Sequence, residues 1–359
     1  MPVATVNSTP INGTNRIEEA ASTVNVICVV PVRNESWVLP HFLECASSWA
    51  DVIIVGHHRC TDQSAAIARR FEKVRLVSLD TTGDDRGLRR KLLLDEARKI
   101  SGERLIFSID ADEMISANWL SNPEWAMMLN APRGARFQFD WLEILPGLAQ
   151  AAVFAKIVAF KDDGTDYIGA VKHEPPIPAT RGEIVHLHDI KLLHYILMEP
   201  ERMFSKHRWN KCLGIVQLGK RPWDMCIMYQ DIKIKQYDAP SVPVDEKWLK
   251  GYEWLNEYRS GKDQQERCER CYWYDEEVLG YFDKYGTNRF RKLNIWHVDW
   301  NKKAQLLGRT GQYDDPRSSC EKWIHKFIES NRENLKCNHI FRWRLARLLG
   351  KTVLKKFGW

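Results

Sequence analysis

Leu105-Ile106-Phe107-Ser108-Ile109-Asp110-Ala111-Asp112-Glu113 is the stretch on which the fold turns. Its apolar run, rich in β-favouring residues, reads as a buried strand, and it stops at three carboxylates within four positions. Strand interiors do not hold that much charge. Asp110 and Asp112 stand two apart, so on an extended chain they project to the same side and offer two hard oxygen ligands to a divalent cation. In an open α/β sheet the carboxyl end of a strand is also where ligands bind. A strand followed by a solvated acidic turn is the plainer reading, and the neighbouring chain must decide between the two.

Working outward toward the N-terminus, the segment from Val24 to Val30 is a near-continuous apolar run of the kind a parallel sheet buries on both faces. It ends in the polar loop Pro31-Val32-Arg33-Asn34-Glu35-Ser36, after which Trp37 to Ala50 has helical spacing. Asp51-Val52-Ile53-Ile54-Val55 is a second strand, followed by a polar turn from Gly56 to Asp62 and a helix through Ala65, Ala66, Ile67 and Phe71. Val74 to Leu79 is a third strand, and Leu88 to Ile100 a helix that leads back to Leu105. Strand and helix therefore alternate as a βαβ array with a mostly parallel sheet.

Beyond Glu113 the rhythm changes. The segments from Ala135 to Leu145 and from Ala151 to Phe160 read as longer strands, an antiparallel hairpin added to the sheet. The span from Tyr167 to His194 is irregular, because Pro175, Pro176 and Pro178 exclude helix, and it carries His173, Glu174, His186, His188 and His194. His186 and His188 share a face and read as part of a surface edge strand. Pro200 to Cys212 reads as a helix, and helical segments continue from about Asp245 to Tyr285 and from Ser318 to Glu333.

The features between Val26 and Glu113 resemble the nucleotide-binding half of the family 2 glycosyltransferases, which have the GT-A fold. Those features are Val30-Pro31-Val32-Arg33-Asn34-Glu35, Ile53-Ile54-Val55 leading to Thr61-Asp62, Arg90 on its helix, and Asp110-Ala111-Asp112-Glu113. The resemblance implies a Rossmann-like, mixed, mostly parallel sheet flanked by helices. It further implies that Pro31, Val32, Arg33, Asn34, Glu35, Asp62, Arg90, Asp110 and Ala111 meet a nucleotide-sugar donor. Asp110 and Asp112 would hold its diphosphate through Mn2+ or Mg2+. His57 stands roughly where the family carries an aspartate that meets the nucleoside, so the donor could be linked to UDP, GDP or dTDP; a bare exposed turn at His57-His58 is the other reading.

Further along, Val171-Lys172-His173-Glu174 and then Leu192-Leu193-His194-Tyr195 look like the pattern of bacterial transferases that extend the lipopolysaccharide inner core. That likeness implies Glu174 as general base, with His173 as its alternative, since an inverting transfer needs one group to take the acceptor hydroxyl's proton. His194 is either a third metal ligand or a packed histidine.

Composition sets the bounds. With 359 residues, 44% hydrophobic and 28% charged, the chain reads as globular, and it holds no run of roughly 20 apolar residues that would span a membrane. Nine cysteines without secretory features fit reduced thiols and a cytoplasmic setting. The net charge of +6 is modest, but the end of the chain is strongly basic. Phe341, Leu345, Leu348, Leu349 and Val353 fall on one helical face and Arg344, Arg347, Lys351 and Lys355 on another, which suits peripheral contact with an anionic membrane, or a helix docked on the protein itself. No nucleic-acid recognition fold accompanies the charge.

The expected organisation is a flexible tail over 1–23, a transferase domain over 24–240 with its halves at 24–113 and 114–240, a helical region over 241–337 and a basic amphipathic helix over 338–359. The expected activity is transfer of a sugar to a glycan or glycolipid acceptor in cell-surface polysaccharide or lipopolysaccharide synthesis. Its rivals are a sugar nucleotidyltransferase and a glycan-binding scaffold without catalysis.

Overall fold

The structure, a computed structural model, describes residues 24–79, 86–168, 175–229, 241–252, 254, 271–330 and 358. The expected tail over 1–23, His173, Glu174 and, apart from Gly358, the basic helix over 338–359 lie outside the described residues.

Four parallel strands form the first half of a single sheet. They are β1 (Asn25–Val32), β2 (Val52–His57), β3 (Val74–Ser78) and β4 (Arg104–Ser108), in the spatial order β3-β2-β1-β4. Helices α1 (Leu39–Trp49), α2 (Ser64–Ala68) and α3 (Arg86–Arg98) make the crossovers. The apolar run of β1 has a direct cause. Val26, Cys28, Val30 and Val32 pack with Leu39, Phe42 and Leu43 of α1, while Ile27 and Val29 pack with Leu93, Leu94 and Ala97 of α3 on the opposite face. Both faces are covered, so no position could be polar without losing about 1.5–3 kcal/mol of burial.

The rest of the sheet is mixed: β5 (Glu113–Ile115), the hairpin β6 (Arg136–Ile144) and β7 (Gln150–Lys161), β8 (Ile184–His194) and β9 (Ser241–Pro243). The whole order is β3-β2-β1-β4-β7-β6-β8-β5, with β9 on β7. The fold is thus the expected Rossmann-like α/β arrangement with helices on the sheet.

Two differences from the sequence reading bear on the site. The acidic run does turn, at Ala111-Asp112, where the Glu113 N–H donates to the Asp110 carbonyl at 3.0 Å, but the turn is not a solvated one, because Glu113 then begins β5 and is fully buried. And the irregular-looking span before His194 contains an eleven-residue strand, β8, which pairs parallel with β6 and antiparallel with β5. Its outer end is steadied from helix α4 (Pro123–Asn130), where the Glu124 carboxylate accepts the backbone N–H groups of His188 at 2.6 Å and Ile190 at 2.8 Å. Those donors would otherwise form an open edge. The same strand needs Gly182 just ahead of it: a Cβ there would sit 2.3 Å from the carbonyl oxygen of Gly134.

Helix α5 (Pro200–Val216) joins this body to the helical region. Met203 packs with the sheet core, whereas Trp209, Cys212 and Leu213 join Tyr274, Val278, Leu279 and Phe282 of the helix Trp273–Tyr285 in a second core. No helix among the described residues is long and apolar enough to cross a membrane.

Candidate functional site

The ends of β1, β2 and β4 open into one cleft. Strand β1 has β2 on one side and β4 on the other, so the chain runs outward in both directions from it, and such a switch point leaves a crevice at the carboxyl ends. Pro31, Val32, Arg33 and Glu35 line it from β1, His58 from β2, and Asp110, Ala111 and Asp112 from β4. Arg86, Arg89 and Arg90 enter from α3, Lys206 and Trp209 from α5, and Trp273 and Tyr274 from the helix beyond.

The loop after β1 is tightly braced. Asn34 adopts φ 55°, a left-handed conformation that asparagine tolerates, and its side chain accepts the Thr61 N–H at 2.7 Å. Asp62 accepts the N–H groups of Ser36 and Ser64, each at 2.9 Å. Asn34 and Asp62 therefore hold the loop and line a neighbouring hollow rather than the cleft. Glu35 takes hydrogen bonds from Arg202 and from the Trp37 indole, the latter at 2.9 Å. Arg33 is clasped by the helical region, its guanidinium 3.7 Å above the Trp273 ring and paired with Glu277.

At the other end the two aspartates have different surroundings. Asp110 pairs with Arg90, whose Nη1 also donates to Ser108 Oγ at 2.9 Å, and its second oxygen lies 3.6 Å from Lys156 Nζ. Lys156 also pairs with the buried Glu113, and Glu113 accepts the Asp110 backbone N–H at 3.0 Å. Asp112 turns instead toward His194, with 3.6 Å between Oδ2 and Nε2. His194 Nδ1 lies 3.5 Å from Glu143, and its ring stacks on Trp141 at 4.6 Å. Strand pairing sets this geometry: β8 runs between β5 and β6, and its register aligns His194 with Glu113 on one side and Glu143 on the other.

Asp110, Asp112, His194 and Lys206 are each held in the charged form. Desolvation in the cleft pushes Asp110 up, but Arg90 and Lys156 outweigh it and bring its pKa to about 2. Burial likewise opposes ionisation of Asp112, and His194 outweighs it, so that carboxyl lies far below the usual range. Burial pulls His194 down, while Asp112 and Glu143 raise it to about 9. Lys206 is raised despite burial, chiefly by Tyr274 and Asp112.

Among the residues expected at the site, Pro31, Val32, Arg33, Glu35, Arg90, Asp110, Ala111 and Asp112 line the cleft together. His194 joins them through Asp112. His57 does not. It ends β2, half-buried and in register with Val32, and the next residue, His58, lines the cleft instead. His186 and His188 sit at the exposed start of β8, where His186 meets Asp140 at 2.9 Å. Sequence reasoning missed Glu143, whose place depends on hairpin register, and the aromatic wall of Trp209, Trp273 and Tyr274, which comes from a region read only as helical.

Among the described residues no group of three or more His, Cys, Asp or Glu is arranged to hold a metal ion by itself. Asp112 Oδ2 and His194 Nε2 are nevertheless spaced as two ligands of one ion could be. A hard cation with so few protein ligands completes its shell with water and substrate oxygens, as Mg2+ does with phosphates, and the imidazole must first give up its proton.

No family model matches the sequence, and neither does any curated protein. Solved structures do match. Glucosyl-3-phosphoglycerate synthase from Mycobacterium tuberculosis, solved with Mn2+, uridine diphosphate and glucosyl-3-phosphoglycerate, is 20% identical over 40% of this chain and 52% of its own, with a TM-score of 0.25. The chain therefore spans about half the length of that protein. Inositol-1-phosphate CTP transferase from T. maritima is 6% identical over 48% of this chain and 90% of its own, with a TM-score of 0.29. Mannose-1-phosphate geranyltransferase from Thermus thermophilus is 14% identical over 62% and 73%, with a TM-score of 0.25.

Proposed function

We propose that the protein is a metal-assisted, inverting glycosyltransferase that moves a sugar from a nucleotide-sugar donor to a glycan or glycolipid acceptor in cell-surface polysaccharide or lipopolysaccharide synthesis. One observation carries the reading. Asp110 and Asp112, at the carboxyl end of β4, face a cleft that also takes the ends of β1 and β2 and is crowned by Arg86, Arg89, Arg90 and Lys206. A nucleoside diphosphate is an anionic leaving group, and fixed cations around it stabilise the charge that grows on it as the glycosidic bond breaks.

Arg90 and Lys156 lie against Asp110, so their positive charge stands beside the diphosphate path. Asp110 and Asp112, with His194, would hold a divalent ion, which when bound neutralises leaving-group charge without proton transfer. Glu174, or His173 in its stead, is proposed to take the acceptor hydroxyl's proton as that oxygen attacks the anomeric carbon. The transferase domain is proposed to span 24–240, with 241–337 as its helical partner.

The direct test is release of nucleoside diphosphate from UDP-, GDP- and dTDP-sugars, with and without manganese, in the presence of a glycan acceptor mixture. Manganese-dependent release from one donor is the expected result. Silence across the panel, or release of pyrophosphate from a nucleoside triphosphate and a sugar phosphate instead, overturns the reading.

The basic segment over 338–359 is proposed to rest on the anionic inner face of the cell membrane. The full chain should therefore sediment with vesicles containing anionic lipid and lose most of that binding when it ends before residue 338. Undiminished sedimentation of the shortened chain rules the segment out as the contact.

A further inference from the structure

The helix Ser319–Ser330 has two faces of different character. On its inner face Ile324 and Ile328 join the second core, Glu321 accepts from Arg291 Nε at 2.8 Å, and His325 Nε2 donates to the Lys292 carbonyl at 3.0 Å. The outer face carries Trp323, which is 65% exposed and stacks on the Phe327 ring at 5.7 Å. A helix docked on one side normally presents polar residues on the other, and an indole left in water keeps most of its apolar surface unburied. Lys322 and Lys326 are exposed beside these rings, so two lysines one turn apart run alongside two aromatic residues one turn apart.

Positive charge gathers at the same corner. Arg291 and Lys292 are held against this helix by the two bonds just described, and Arg291 stays exposed while paired with Glu321. Lys322 is exposed as well, with Asp315 3.6 Å from its ammonium. Of the helix's own carboxylates, Glu321 is committed to Arg291 and Glu329 lies exposed toward the far end. The end of the chain is tied to the same place, because the Gly358 carbonyl accepts Lys292 Nζ at 3.2 Å. Gly358 closes a stretch that has no acid after Glu333 and holds Arg342, Arg344, Arg347, Lys351, Lys355 and Lys356. Folding thus joins the tip of a strongly basic stretch to the helix with the exposed indole.

We infer that this corner is a membrane-contact face, in which Trp323 enters the interfacial layer of an anionic bilayer while Arg291, Lys322 and Lys326 meet its phosphate headgroups. An indole suits that layer because its ring is apolar and its N–H takes a polar partner. Lysines suit it because their stems lie along apolar surface while the ammonium stays among the headgroups. Their attraction to anionic lipid falls off within a Debye length, so salt opposes it. The inference rests on the reading of the chain as membrane-bound, adds a folded contact to the basic segment, and does not depend on glycosyl transfer.

Sedimentation of the full chain with phosphatidylcholine vesicles, with and without phosphatidylglycerol, tests this. The unaltered chain should bind the anionic vesicles and not the neutral ones. Trp323→Ser removes a largely exposed ring, so it should leave the thermal melt unchanged and weaken vesicle binding by about 10-fold. Trp323→Phe should keep most of the binding. Brominated acyl chains quench only indoles that reach them, so the fluorescence lost on binding should be smaller in Trp323→Phe than in the unaltered chain. Undiminished binding by Trp323→Ser, or equal quenching in Trp323→Phe, overturns the inference and leaves the basic segment as the contact. Equal binding to neutral and anionic vesicles means that charge plays no part, and overturns it too. So does a dimer in solution that Trp323→Ser dissolves, since a second copy then covers the indole. Failure of the unaltered chain to bind either vesicle overturns this face and the membrane reading of 338–359 together, while the transferase reading stands.

Discussion

Asp112→Ala is expected to lower the rate of sugar transfer by about 10²- to 10³-fold, the range seen when one preorganised group facing a developing charge is removed. The carboxylate has two tasks on the proposed reading. It holds the ion that faces the diphosphate, and it anchors His194 Nε2 at 3.6 Å. Its pKa lies far below the ordinary range, against the pull of burial, because His194 and Lys206 stand near it, so the charge is present at any working pH. Glu143 still faces His194 in the variant, at 3.5 Å, which leaves the imidazolium one carboxylate and the fold intact. Initial rates of nucleoside diphosphate release, read beside a thermal melt, separate lost chemistry from lost structure. Full activity in a folded Asp112→Ala protein would remove Asp112 from the mechanism.

Asp275→Ala should produce the largest loss of stability, about 3–5 kcal/mol, the usual consequence of removing one partner from a buried ion cluster. Asp275 is fully buried at the start of the helix Trp273–Tyr285. It accepts from Arg208 Nη2 at 3.0 Å and from Lys303 Nζ at 2.9 Å, and Arg208 is itself almost inaccessible. Burial would keep the carboxyl protonated, but the two cations outweigh it and hold its pKa low. Without it, Glu201 still faces both, at 2.8 Å from Arg208 and 3.8 Å from Lys303. Urea unfolding measures the effect as a lower midpoint at unchanged slope. A loss below about 1 kcal/mol, the range of exposed pairs, would mean that the cluster is solvated in the protein.

The parallel half of the sheet was open to reading because its strands are covered on both faces. β1 has no polar position between Val26 and Val30, and nothing but a buried parallel strand explains five such residues ahead of a polar loop. The aspartates were legible for the converse reason, as charge set abruptly against an apolar run. What could not be read depends on pairing over distance. Glu143 reaches His194 only through the register of β6 with β8, and Lys156 reaches Asp110 only through the hairpin. β8 itself was obscured by the prolines and charged residues before it, and its exposed end is completed by Glu124 from another element. The choice between His57 and His58 turns on a single step along the chain, and on extended backbone one step reverses the face. No composition or spacing argument resolves that.

The clasp of Arg33 by Trp273 and Glu277 bears on how this protein could be divided. Arg33 belongs to the tip of β1, yet its partners come from a helix more than two hundred residues later. One wall of the cleft is therefore borrowed from the far end of the chain. The α/β half and the helical half are not interchangeable modules: a chimera that took each from a different parent would have to inherit the guanidinium, the indole and the carboxylate as a set.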